Sequence, residues 1–370
     1  MPPRKSFRLL WGALGLLGLV GAYFLFQDRI VDVNLRPLVE RELAKAVHAP
    51  VNIKSIRGSL TGHIVLNDVD LTIPGEPWKS HLAVDQISVN LDLIGLIFRH
   101  KPLEDCFEKV VFEHPQITLI RSEDEPQTVA GASSINPAVN TLPGQIPLPV
   151  IPAGKLSIQN GVFSVQTNKT PKTLLRDIDF DAFTKNGKLW GISLQASSPA
   201  ADSKGNLNFE GSFNEENLKI LGKVSLTQWP LLSGSSALKD LSGWELLDGT
   251  VDMESPLVFQ PGRIWFDAAT TLSNASIKSP SPLGVVFSKI NGRAFIRPTD
   301  LNVPSELTFQ VGQTAWKASG LMPFDGRPMA LRTSTDQLQL SDIFQTLLKL
   351  PDVKVDGTGT ASFVATGSIS

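Results

Sequence analysis

Hydrophobic and polar residues alternate with a period of two along most of this chain. Leu207, Phe209, Gly211 and Phe213 do so cleanly, as do Leu218, Ile220, Gly222, Val224 and Leu226, and then Ile264, Phe266, Ala268, Thr270 and Leu272. Leu156 and Ile158 open this region, an Asn160–Gly161 turn is expected, and Phe163 and Val165 resume the pattern. Side chains of a strand point alternately to its two faces, so this spacing predicts half-buried strands with one apolar and one polar face.

The first third of the chain mixes periods. Leu35, Val39, Leu43 and Ala46 or Val47 share one face at helical spacing, with Asn34 as the expected cap, Pro37 tolerated in the first turn and Ala49–Pro50 as the stop. Strand patterns follow at Val51, Ile53 and Ile56, at Ile64 and Leu66, at Val69, Leu71 and Ile73, and from Leu82 through Leu91. Leu93–Phe98 reads as a short apolar helical turn, and Val110, Phe112, Ile117 and Leu119 return to strand. Residues 123–155 change character. Pro, Gly, Ser, Thr and Asn dominate, and Pro143, Pro147, Pro149 and Pro152 crowd together, which predicts a solvated loop or linker.

Ahead of all this, Leu9 to Phe26 holds no charged residue over 18 positions. As a helix it is about 27 Å long, enough to cross a hydrocarbon core. Arg4, Lys5 and Arg8 precede it, which predicts a cytoplasmic N-terminus (residues 1–28 with the span) and a translocated body. Gln27, Asp28 and Arg29 follow where a cleavable leader would carry small residues, so an uncleaved anchor is expected.

Composition narrows the function. The 370 residues carry a net charge of −2, which offers no electrostatic footprint for nucleic acid. Cys106 is the lone cysteine and reads as a buried, inert thiol. His48, His63, His81, His100 and His114 are scattered without HxxxH or HExxH spacing, and no GxSxG, Walker or GxGxxG loop is present. The expectation is a protein that is not an enzyme and needs no cofactor or metal. The tryptophans, among them Trp78, Trp190, Trp229, Trp244, Trp265 and Trp316, are expected to pack or to sit at rims.

A weak internal repeat runs through the second half. "VSLTQWPLL" precedes "LLDGTVDMES", and "LQLSDIFQTLL" precedes "KVDGTGTASF". In each, Thr227 or Ser341 is expected to cap a short helix, and Asp-Gly-Thr (Asp248–Thr250, Asp356–Thr358) to turn into a new strand. The strand-like pattern runs on to Ser370, and a longer protein is expected.

The membrane segment, the amphipathic helix, "APVNIKSIRGSLTGHIVLNDVDL", "ISVNLDLIGLIF" and "VVFEHPQITLIR" follow one another in the order found in AsmA-like proteins, the bacterial family that includes TamB. Residues 1–122 resemble that family well, and the repeat extends the resemblance weakly into residues 156–370. The resemblance implies an N-terminal α+β unit over residues 29–122. It also implies a mainly β fold with a few short helices: an elongated, curved, antiparallel-rich sheet forming a trough, apolar on its concave face and similar to chorein-type lipid-transfer proteins. It further implies an inner-membrane anchor at Leu9–Phe26, a periplasmic body, and phospholipid acyl chains as cargo between inner and outer membranes. A second expectation is a scaffold for outer-membrane protein assembly, with such a protein as partner. Phe209, Phe213, Ile220, Val224, Ile264 and Phe266 are the expected groove lining. The apolar strand faces outrun the few predicted helices available to cover them.

Overall fold

Of the 370 residues, the structure, a computed structural model, describes residues 49–58, 62–74, 78–92, 99, 106–121, 153–166, 171–184, 188–199, 204–234, 239, 243–280, 284–342 and 355–368, together with 33, 36, 37, 39–41 and 44. The expected anchor Leu9–Phe26, the apolar turn Leu93–Phe98 and most of the Pro-rich linker lie outside these residues. No helix among the described residues is long and apolar enough to cross a membrane. The fold is mainly β, as the alternation predicts. Its contacts separate two compact units, residues 1–127 with 141–173, and residues 128–140 with 174–370.

The first unit is built on β1 (Val51–Gly58), β2 (His63–Ile73) and β3 (Trp78–Leu91), an antiparallel meander. The long β3 then pairs along one half with β4 (Phe107–Glu113) and along the other with β5 (Gln116–Arg121). β4 and β5 are one strand broken at His114–Pro115, where His114 takes a φ of 51° and proline has no N–H for a ladder. β6 (Ala153–Gln166) runs parallel to both halves. The turn expected at Asn160–Gly161 does not form. Asn160 instead takes a φ of 54° inside β6, beside the break at His114, and lets β6 follow β4 into β5.

Ile53, Ile56, Leu66, Val69, Val84, Ile87 and Val110 form the core of this unit, with Val39 and Leu156 packed against it. Ile53 and Ile56 are each 1% exposed, and full burial of such a side chain contributes about 1.5–3 kcal/mol. Residues 36, 37, 39–41 and 44 are helical. Val33 is already helical, so the helix does not begin at an Asn34 cap. Glu40 accepts a hydrogen bond from the Ile53 amide at 2.9 Å, and Arg36 donates to the Lys54 carbonyl at 2.9 Å. Both contacts occupy backbone groups on β1 that an open edge would leave free to recruit another strand.

The second unit is an antiparallel meander: β7 (Lys172–Thr184), β8 (Leu189–Ser197), β9 (Asn206–Asn214), β10 (Lys219–Pro230), β11 (Glu245–Gln260), β12 (Arg263–Phe266), β13 (Ala268–Lys278), β14 (Val286–Ile296), β15 (Asp300–Val311), β16 (Thr314–Pro323), β17 (Pro328–Gln339) and β18 (Thr358–Ser368). β11 pairs with β12 along one half and with β13 along the other. The alternation that runs unbroken from Ile264 to Leu272 is therefore interrupted at Asp267, and the face is kept across the break.

Several local expectations change. Leu218 belongs to the β9–β10 turn, at φ 51° and 51% exposed, and not to the strand. Thr227 lies inside β10 and does not cap the 3-10 turn Leu231–Gly234, while Ser341 lies inside the short helix Leu340–Asp342. Asp248–Thr250 does not open a strand. It sits within β11, where the ladder to β13 shifts register and Gly249 adopts φ 102°. The second copy behaves as expected, with Thr358 opening β18.

Candidate functional site: the apolar face of the second unit

Strand register decides which side chains share a face, because residues paired across a ladder point the same way. One row of paired residues runs Trp190, Phe213, Ile220, Phe259, Ile264. The next runs Ile192, Gly211, Gly222, Leu257, Phe266, and a third Leu194, Phe209, Val224, Ser255. All six residues singled out from the sequence, Phe209, Phe213, Ile220, Val224, Ile264 and Phe266, thus lie on one face. Each is half-buried: none is sealed and none is fully exposed.

The face continues through the rest of the unit. Met253, Thr270 and Ala294 form one row, Ile277, Phe287 and Val311 another, and Phe309 pairs with Trp316. Leu331 and Thr333 then meet Ala365 and Phe363 of β18. The opposite face is polar, carrying Asn208, Glu210, Lys223, Glu254, Arg293, Lys317 and Arg332 along the same strands. The main contacts of each described strand are with its ladder neighbours, and the turn Leu231–Gly234 adds contacts to β11.

A row of β-bulges crosses this unit. Ladder register shifts between Leu226 and Trp229, Leu272 and Ala275, Ser288 and Asn291, Val303 and Leu307, and Thr335 and Leu338. An extra residue in one strand bends it and raises its twist. It also resets the alternation, so that pairs three apart, such as Phe287 with Ile290 or Leu226 with Trp229, stay on the apolar side. Side chains supply the acceptors that the ladder loses there. Asp252 takes the Gln228 amide at 2.7 Å, and Asn291 takes the Asn274 amide at 2.9 Å. Gln228, Asn274 and Lys289 adopt φ values of 48°, 50° and 48°.

The sequence reading did not single out the aromatic chain beyond the bulges. Ring centroids step from Trp244 to Phe287 (6.2 Å), Phe309 (5.7 Å), Trp316 (6.5 Å) and Phe363 (5.9 Å). Trp316 forms a buried apolar cluster with Val285, Val311 and Leu338, and Phe287 and Phe309 pack against it. Phe363, at its end on β18, is 59% exposed. The signal was present as aromatic residues at odd spacings, but the phase jumps hid that they share a face.

Two features give the floor and rim of the face their form. The Phe209 ring lies over the Gly211–Gly222 pair, close enough that a Cβ on Gly222 would sit 2.6 Å from it and 2.6 Å from the Glu210 carbonyl oxygen. At the hairpin ends, Arg297 bonds Asp267 at 3.0 Å and stands 3.5 Å from the buried Asp300, which Arg327 also approaches at 3.5 Å. Arg327 in turn holds Asp325 at 2.8 Å, and that guanidinium keeps the Asp325 carboxyl below the usual carboxylate range. At the other end of β15, Asp342 accepts from the Gln313 and Thr314 amides and the Thr314 hydroxyl at 2.8, 2.7 and 2.6 Å, closing the β15–β16 turn. These charges are engaged with one another and with backbone, as structural staples are.

Compared with protein-family models, curated proteins and solved structures, the chain matches none.

Proposed function

We propose that this chain carries phospholipid acyl chains along the apolar face of β8–β18, as a membrane-anchored periplasmic protein of the AsmA-like kind. The observation that carries the reading is that face: apolar by register from strand to strand, yet half-buried where Phe209, Phe213, Ile220, Val224, Ile264 and Phe266 line it. A sheet with one greasy side needs a covering. Acyl chains supply one, since each CH₂ kept from water is worth about 0.8 kcal/mol. The headgroup stays in water, so carriage asks for no catalytic group. The resemblance of residues 1–122 supplies the setting: an anchor at Leu9–Phe26, with cargo passing between inner and outer membranes.

The test is lipid occupancy of the purified full chain by native mass spectrometry. Bound phospholipid in the wild type, lost in Ile220→Asp and in Phe266→Asp while circular dichroism stays native, is the expected result. A wild-type chain that brings no lipid but co-purifies with an outer-membrane β-barrel protein overturns carriage and favours the assembly-scaffold reading.

A further inference from the structure

On the polar face of the second unit, exposed apolar residues line up across β7–β12. Phe183 pairs in register with Gly191, Gly191 with Ser212, Ser212 with Leu221, Leu221 with Val258, and Val258 with Trp265. Phe183 lays its ring against Gly191 and is still 45% exposed; Leu221 and Trp265 are each 42% exposed. Large apolar residues therefore form a transverse stripe on the water side of β7–β12. At the usual strand spacing the stripe is roughly 24 Å long. Isolated exposed apolar residues are ordinary, but large apolar side chains aligned in register at both ends of one row on a largely polar face mark a contact surface.

The charges beside the stripe say what kind. Toward the strand tips stand Lys219 on β10 and Arg263 on β12, and neither makes an ion pair among the described residues. Three neighbouring acids are already engaged, Glu216 by Lys188 at 2.6 Å, Glu215 by the Trp190 indole, and Glu254 by Lys223, while Glu210 stands opposite Lys223 in register. A tryptophan, a phenylalanine and a leucine at one level, with unpaired cations just beyond them, is the chemistry of the membrane–water interface. Rings settle at headgroup depth there, and cations meet phosphate.

We propose that this stripe is a docking surface for an anionic phospholipid bilayer, which seats the β9–β10 and β11–β12 tips among the headgroups. The stripe lies on the face opposite the acyl-chain face, so the contact stands or falls separately from lipid carriage.

The experiment uses the full chain reconstituted in vesicles of equal parts phosphatidylglycerol and phosphatidylcholine brominated in its acyl chains. Leu221→Cys and, separately, Trp265→Cys carry a nitrobenzoxadiazole label, with Ser225→Cys as the control on the same face; native Cys106 is fully buried and stays unlabelled. The expected result is a blue shift and bromine quenching at positions 221 and 265, with neither at 225. Each cation near an anionic surface contributes about fivefold, so Lys219→Gln with Arg263→Gln weakens the contact about 25-fold and removes most of the quenching. Labels at 221 and 265 that remain as water-exposed as the one at 225 overturn the proposal. So does shielding that appears without vesicles and rises with protein concentration, which assigns the stripe to a second copy of the chain.

Discussion

Replacing Ile220 with Asp, set beside the same change at Ile53, separates a face that awaits a ligand from a core that is closed. Ile53 is 1% exposed at the centre of the first unit's core. Its replacement forfeits the full transfer free energy of the side chain, about 1.5–3 kcal/mol, and leaves a cavity. The introduced carboxyl must also be desolvated or protonated, at a further cost of about 2 kcal/mol or more. The sum, about 4 kcal/mol or more, is a large part of the 5–15 kcal/mol that holds a typical domain together. Ile220 is only half-buried, between Phe213 and Phe259 in register. There the loss is about half the transfer term, roughly 1–1.5 kcal/mol, and the carboxylate keeps its water. In urea, with a slope of about 1–3 kcal/mol per molar, Ile220→Asp moves the midpoint by about 0.5–1 M and Ile53→Asp by several times more. Circular dichroism at increasing urea reads both, on chains whose lipid content has been measured. The reasoning is refuted if Ile220→Asp destabilises as severely as Ile53→Asp, because the face is then sealed. It is refuted equally if Ile220→Asp binds phospholipid as the wild type does.

Further outcomes follow from the same structure. Asp342→Ala strands the Gln313 and Thr314 amides and costs about 3–5 kcal/mol, read as a lower thermal midpoint. Asp342→Asn leaves an acceptor in place and costs less. Gly222→Val forces the Phe209 ring and the Glu210 carbonyl to move, costing about 1–3 kcal/mol. Adding Phe209→Ala recovers only part of that stability, because the carbonyl contact remains. Asp325 titrates by NMR below the ordinary aspartate range because Arg327 holds it, and Arg327→Ala raises its midpoint toward that ordinary range. Since folding depresses this pKa, its contribution to stability is present above the unfolded value and fades as pH falls through the folded one.

Much of the architecture was legible because strand alternation is a local property. The runs Leu207–Phe213 and Ile220–Leu226 became β9 and β10, and their apolar positions, Phe209, Phe213, Ile220 and Val224, share a face, as a period of two requires. The mainly β character followed from the same arithmetic. The sequence was silent wherever a single residue changes the phase. At Leu226/Trp229, Leu272/Ala275 and Ser288/Asn291 the bulges turn a run of two into a step of three, and Phe287, Phe309 and Trp316 looked unrelated until register joined them. Asn160–Gly161 and Asp248–Gly249 carry turn chemistry yet sit inside strands, because a left-handed residue serves a bulge as well as a turn.

Composition and periodicity by themselves determined that the chain makes two-faced strands, which residues are greasy, and where Leu9–Phe26 departs from the pattern. Tertiary pairing alone decided that β6 runs parallel to β4 and β5, that the greasy sides of β8–β18 meet across successive ladders, and that Phe183, Leu221 and Trp265 line up on the polar side. The physical reason is that alternation is written in each strand's own residues, whereas register is set by hydrogen bonds between strands and shifts at the bulges.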